Sequence, residues 1–282
     1  MQIQTETLTQ PSPLAGTAVR IPQAPLGTCS GVLQRFSPTS LSEMQAVSLL
    51  RRTDTKYVMR TAQLIQALAA LTQEYAVLEI NGRRQHQYQT LYFDTPDFAL
   101  YQQHHNGQTN RYKVRSRCYV DSQRTFLEVK QKTNKAVTIK SRLQTPSLTT
   151  RADANTDSFL KAHYPYEAAG LEPKLWNYYT RITLVSKHTI ERVTLDLGLR
   201  FAWGDTRIAL PGIAVAELKQ AHFSLRSEFA GQMRALNLRS MGFSKYCTGV
   251  ALLYDSVKHN NFKPKLRYVT KLMQNQEGSW AI

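Results

Sequence analysis

Hydrophobic and polar positions alternate with a period of two through the middle of the chain, most plainly between Arg111 and Arg142. Arg111, Lys113, Arg115 and Arg117 fall on one side of a strand-like segment, with Tyr112, Val114 and Ser116 on the other. Successive side chains of a strand point to opposite faces, so one face is basic and the other largely uncharged. The next segment repeats the pattern, with Glu128, Lys130 and Lys132 opposite Leu127, Val129 and Gln131, and a third sets Lys140 and Arg142 opposite Ile139 and Leu143. These alternations predict strands near 110–120, 125–133 and 136–144. β-Branched and aromatic content predicts further strands at 53–60, 75–80, 85–94, 175–185, 190–201, 207–210 and 213–219. Asn81-Gly82 marks a hairpin turn, and Pro211-Gly212 divides the last two strands.

Helical spacing surrounds this β-rich stretch. Ser40 and Glu43 form a capping box for a short helix carrying Met44, Val47, Leu49 and Leu50, and Thr61 caps one bearing Leu64, Ile65, Leu68 and Leu71. A short helix follows Pro96, another spans about 157–164, and two more cover 225–236 and 244–254. Residues 1–32 are polar, with Pro11, Pro13, Pro22 and Pro25 and no sustained period, and read as a mobile tail. The polar, basic stretch at 259–282 reads as an extension of unassigned structure.

Composition narrows the partner. The chain has 282 residues, 42% hydrophobic, enough for a real core, and a formal net charge of +16. Residues 111–142 hold ten Lys or Arg and two acids, Asp121 and Glu128, so half of the excess sits in one short stretch. Such a balance suits nucleic acid, anionic membrane, nucleotides or inorganic polyphosphate. Cys29, Cys118 and Cys247 are odd in number and widely spaced, which favours neither a disulfide framework nor a thiolate metal site. No signal peptide and no transmembrane segment are evident, making the cytoplasm the default compartment.

A solvent face normally mixes signs of charge, whereas this one is overwhelmingly positive across at least three strands. Later strands place ionic groups in the same rhythm: Arg181 and Thr183; Arg192, Thr194 and Asp196; Glu217 and Lys219. A closed antiparallel β-barrel with helices packed outside, an α+β fold, reconciles these facts by turning the charged face into a lumen. Crowding cations there costs on the order of several kcal/mol each in desolvation unless a polyanion compensates. Arg supplies a planar fork and Lys a point charge, a mixture able to hold a linear phosphate chain without reading bases. Asp196 and Glu217, carboxylates on strands otherwise furnished for anions, make sense if a divalent cation bridges carboxylate and phosphate.

RTDTKYVM at 52–59, LYFDT at 91–95, RYKVRSR at 111–117, FLEVKQK at 126–132, IKSR at 139–142, YYTRITL at 178–184, ERVTLD at 191–196, AELK at 216–219 and FSKY at 243–246 are weak singly but specific in their order. With them the chain resembles the VTC domain, the catalytic module of vacuolar transporter chaperone polyphosphate polymerases, within the CYTH-like triphosphate tunnel metalloenzyme superfamily. The resemblance covers about 33–256 and implies a tunnel domain at 33–258 between the tail and the extension. It implies that Lys56, Arg115, Arg117, Lys130, Lys140, Arg181, Arg192 and Lys245 bind phosphate and that Glu217 binds metal. It further implies ATP as substrate, Mn²⁺ or Mg²⁺ as cofactor, and transfer of the γ-phosphoryl group to a growing inorganic polyphosphate chain. Asp54 and Lys56 stand where the tunnel triphosphatases carry paired glutamates, which favours the polymerase branch. Lys113, Lys132, Arg142 and Lys219 share the charged faces with less motif support.

Other readings stay open. Lys56 could be a surface strand lysine, Lys245 part of a solvated helix face, and Glu217 a mere partner of Lys219 or an arginine. The same cage with water as acceptor gives a triphosphatase, and a cage without chemistry gives a polyphosphate-binding or nucleic-acid-binding protein. His104-His105 lacks any HExxH context, and neither GxxxxGK[ST] nor GxSxG occurs, so a zinc hydrolase, a P-loop enzyme and a nucleophile-elbow hydrolase are unsupported.

Overall fold

The alternating segments assemble into one eleven-stranded sheet. The structure, a computed structural model, describes residues 27–46, 53–135, 137–151, 153–221, 224 and 226–274. In chain order its elements begin with α1 (Gly27–Leu33), β1 (Ser37–Thr39), α2 (Leu41–Ala46), β2 (Thr53–Arg60), α3 (Thr61–Ala70), β3 (Tyr75–Leu78), β4 (His86–Asp94) and α4 (Ala99–His105). The three basic strands are β5 (Arg111–Tyr119), β6 (Arg124–Lys132) and β7 (Thr138–Thr145), followed by α5 (Ala154–His163). The rest comprises β8 (Glu172–Ser186), β9 (Glu191–Trp203), β10 (Thr206–Ala209), β11 (Ile213–Gln220), α6 (Glu228–Ala235), α7 (Lys245–Leu253) and α8 (Lys263–Gln274).

Strands pair in the order β2-β11-β9-β8-β4-β5-β6-β7, antiparallel throughout. The closed barrel expected from the alternation is thereby corrected: β2 and β7 end the path, and the hydrogen-bonded sheet is open. The physical reason lies at β2. Its alternate carbonyls at Lys56 and Val58 accept from Met241 N (2.9 Å) and from Tyr268 Oη (3.3 Å) of α8, so a loop and a helix satisfy the edge that a neighbouring strand would have used. Lys113 Nζ on β5 in turn donates to Ser244 Oγ at 2.8 Å, so Met241–Ser244 spans the gap from β2 to β5.

The uncharged faces of the strands point outward. Met59, Ile182, Leu184, Leu195 and Leu218 pack under α1, α3 and α6 through Leu33, Leu64, Leu68, Phe229 and Met233. Leu91, Val114, Leu127 and Val129 meet Leu160 of α5. Each such burial contributes about 1.5–3 kcal/mol. On the inner face α7 fills one end, setting Tyr246, Cys247 and Val250 against Tyr92, Leu175, Phe201 and Val215. Gly249 permits the approach, since a Cβ there would lie 2.6 Å from Leu175 Cδ2.

Further expectations change. Residues 27–32, placed in the mobile tail, form α1, which buries Cys29 and Leu33; residues 1–26 lie outside the described part. The turn at Asn81-Gly82 forms, with φ of +51° and +71° and an Ile80–Arg83 bridge, yet it joins no hairpin. The 15-residue β8 is long enough to pair with β3 and β4 in tandem, so those strands part. The polar extension contains α8, whose Val269 is buried beside Phe262; residues 275–282 are outside the described part. The capping box of α2 is present, with Ser40 N donating to Glu43 at 2.6 Å, while Val47, Leu49 and Leu50 are outside the described residues. Helix α3 starts at Thr61 rather than after it, and Arg60 N donates to Gln63 Oε1 at 3.0 Å. All three cysteines are free and buried. No helix among the described residues is long and apolar enough to cross a membrane.

Candidate phosphate-binding cage

Register brings the charged positions onto one concave face. Arg115 lies across from Glu128, and Glu128 from Arg142, while Lys113, Lys130 and Lys140 form the adjacent row. On the other side Arg181 faces Asp196, and Glu217 faces Lys56. Because the sheet curls, strands distant in pairing order converge: Glu217 of β11 and Lys130 of β6 each shift the other's ionisation.

Three carboxylates organise the cations. Glu128, 1% exposed, accepts from Arg115 Nε at 2.7 Å and lies 2.5 Å from Lys140 Nζ and 3.8 Å from Arg117 NH1. Asp196 receives Arg181 through Nε (2.6 Å) and NH2 (2.8 Å), together with Lys245 from the first turn of α7. Glu217 sits 3.3 Å from Lys219 and 3.7 Å from Lys56. Burial alone would raise the pKa of all three, but the facing cations hold them well below the usual carboxylate range: Arg115, Arg117 and Lys140 for Glu128, Arg181 and Lys245 for Asp196, Lys219, Lys56 and Lys130 for Glu217. Each stays ionised.

Their cations bear the opposite strain. Burial, then the Lys113 charge, pushes Lys130 down to about 7, opposed by Glu217. Burial brings Lys140 down to about 8 despite Glu128. A floor of stacked rings, Tyr88 and Tyr179 with centroids 5.1 Å apart, lies beneath Arg181, Arg117 and Lys245. Tyr92 adds a hydroxyl 3.3 Å from Arg115 NH1.

Of the residues singled out from sequence, Lys56, Arg115, Arg117, Lys130, Lys140, Arg181, Glu217 and Lys245 are linked by these contacts and charge interactions. Arg192 shares the face through its register with Lys219, four residues along β9 from Asp196 on the side away from α7. Both oxygens of Asp196, read from sequence as a carboxylate that a metal could bridge to phosphate, are engaged by Arg181 and Lys245. Sequence reasoning did not single out Glu128 as the hub of the basic strands; its place across from Arg115 and Arg142 was the available signal. Tyr88 carried no such signal, since aromatic strand residues are ordinarily core.

As for metal, no cluster of three or more His, Cys, Asp or Glu positioned for an ion exists among the described residues. A single ionised carboxylate, Glu217, does not make a resident all-protein site. It does fit a hard cation such as Mn²⁺ or Mg²⁺ held jointly with substrate phosphates.

A family model described as the VTC domain matches residues 51–254. No curated protein matches the chain. Among solved structures, a candidate adenylate cyclase from Vibrio parahaemolyticus is 15% identical, with 68% of this chain and 94% of that one covered and a TM-score of 0.41. A candidate adenylate cyclase from Bacillus halodurans is 11% identical (72% and 96% covered, TM-score 0.45). A Hippeastrum protein described as having a dominant triphosphatase activity is 13% identical (71% and 96% covered, TM-score 0.39).

Proposed function

The chain belongs to the VTC domain family, and we propose that its cage moves the γ-phosphoryl group of ATP onto a growing inorganic polyphosphate chain. The observation carrying this reading is the charge balance of the concave face. Cations from β2, β5, β6, β7, β8, β11 and α7 share that face with three organising carboxylates, leaving a positive excess spread over several strands rather than at a point. A linear polyanion matches that distribution.

In this reading Arg115, Arg117, Lys130 and Lys140 hold one wall of phosphates, and Arg181, Arg192, Lys56 and Lys245 the other. A terminal phosphate oxygen of the polymer attacks the γ-phosphorus in line. The new P–O bond forms as the bond to the β,γ-bridging oxygen breaks, and ADP departs with that electron pair. Positioning and charge stabilisation are what such a transfer requires from a protein. Glu217 would hold the divalent cation, which when bound draws charge from the γ and bridging oxygens. Tyr88 and Tyr179 keep the guanidinium groups fixed and exclude water beneath them.

Incubating the chain with ATP and Mn²⁺ and separating products by size tests this. Long phosphate chains are expected. Free orthophosphate alone would replace the proposal with a triphosphatase, and neither product would make the cage a binding site without turnover.

A further inference from the structure

Beside the ion-paired cage lies a second group of cations. Arg111 and Lys132 are cross-strand partners at the start of β5 and the end of β6, and Lys113 lies two residues further along. Lys113 Nζ reaches Ser244 on one side of the Met241–Ser244 segment. On the same segment, a Cβ added to Gly242 would lie 3.4 Å from Lys265 Nζ, so α8 delivers a fourth cation there. Lys265 sits 5.6 Å from the centroid of the Phe262 ring, and the His104 ring lies 5.9 Å from that same ring.

His104 therefore stands among like charges. Burial, followed by Lys113, Arg111, Lys265 and Lys132, pushes its imidazole down to about 2, and among the described residues its buried Nδ1 has no hydrogen-bond partner. The contrast with the cage is in the acids. Glu128, Asp196 and Glu217 neutralise the inner cations, whereas among the described residues no carboxylate ion-pairs with Arg111, Lys113, Lys132 or Lys265. Like charges placed together repel one another, and an anion placed among them removes the repulsion. The cluster is continuous with the cage through the Lys113–Lys130 pair, so a phosphate chain too long for the cage reaches it.

Resting on the polyphosphate reading above, we propose that Arg111, Lys132 and Lys265 form an extension subsite for the part of a polyphosphate chain lying outside the cage. Lys265 belongs to a helix beyond the family match at 51–254, so the subsite draws on residues outside the matched segment.

The test titrates the full chain and its Lys265→Met and Lys265→Arg variants with tripolyphosphate and with long-chain inorganic polyphosphate. Methionine keeps the apolar stem over Phe262 and removes the charge. Lys265→Met is expected to weaken long-chain binding about 2- to 5-fold, the range of one partly exposed ion pair, and to leave tripolyphosphate unchanged. Lys265→Arg is expected to restore the long-chain affinity. Equal loss on both ligands, or none on the long chain, overturns the subsite. Single-stranded DNA competing as well as polyphosphate per charge would also overturn it, by making the cluster a general polyanion surface. If Lys265→Met does not fold, Lys132→Met probes the subsite from β6 with the same expected outcomes. Failure of wild-type protein to bind either ligand refutes the cage reading itself and is seen separately.

Discussion

Replacing Glu128 with Gln removes one negative charge from beneath three cations and should destabilise the empty protein while strengthening its grip on a polyanion. Loss of one partner from a buried ion pair costs about 3–5 kcal/mol. Arg115 and Lys140 retain 18% and 36% side-chain exposure and can turn partly toward water, which places the cost near the lower end, about 3 kcal/mol. With an unfolding entropy of about 2.1 cal/mol/K per residue over 282 residues, that lowers Tm by about 5 °C. Tripolyphosphate should then raise Tm more in the variant than in wild type at equal concentration, because the ligand supplies the missing charge. The pH dependence has a fixed sign. The folded pKa of Glu128 is depressed, so its stabilisation is complete above the unfolded carboxyl value of about 4.3 and is lost as pH falls through the folded value. The gap between wild type and variant therefore closes in acid. Differential scanning calorimetry with and without tripolyphosphate checks all three points. An unchanged or higher Tm for the empty variant, or an equal ligand-induced gain in both proteins, refutes the reasoning.

Other outcomes follow from the same geometry. Lys130 is lowered to about 7 by burial and by Lys113, so a polyanion that raises it must draw protons from solution. Calorimetric titration with tripolyphosphate at pH 7–8 in buffers of different ionisation enthalpy should show net proton uptake, with affinity falling as pH rises above about 7; zero exchange would contradict this. Glu217→Gln should cut metal-dependent turnover at least about 100-fold while tripolyphosphate still binds, and near-normal turnover would remove Glu217 from the mechanism. Gly249→Ala forces a methyl against Leu175 and Phe201 and should cost about 1–3 kcal/mol by denaturant titration, with no loss meaning that α7 packs less tightly than described.

The basic face was legible because neighbouring strands joined by short turns inherit their register from alternation alone. Arg115, Glu128 and Arg142 could be aligned on paper as they align in the fold. What closes the gap beyond β2 was not legible, since Met241 N and Tyr268 Oη reach β2 from far along the chain and neither has a local signature. The cation partners of Asp196 were hidden for the same reason: Lys245, which takes one of its oxygens, lies 49 residues away in sequence. Helix α8 was masked by its charge, although Leu266, Val269 and Leu272 recur at helical spacing within it. In α1 the pair Cys29 and Leu33 gave only one turn of period, too little to outweigh the prolines before it.

The most direct test of phosphoryl transfer within the cage follows the γ-phosphate itself. With ATP labelled at that position, Mn²⁺ and an unlabelled short polyphosphate acceptor, the account predicts label in chains longer than the acceptor, in amounts matching the ADP formed. Label appearing solely in orthophosphate, with the acceptor unchanged in length, would contradict it.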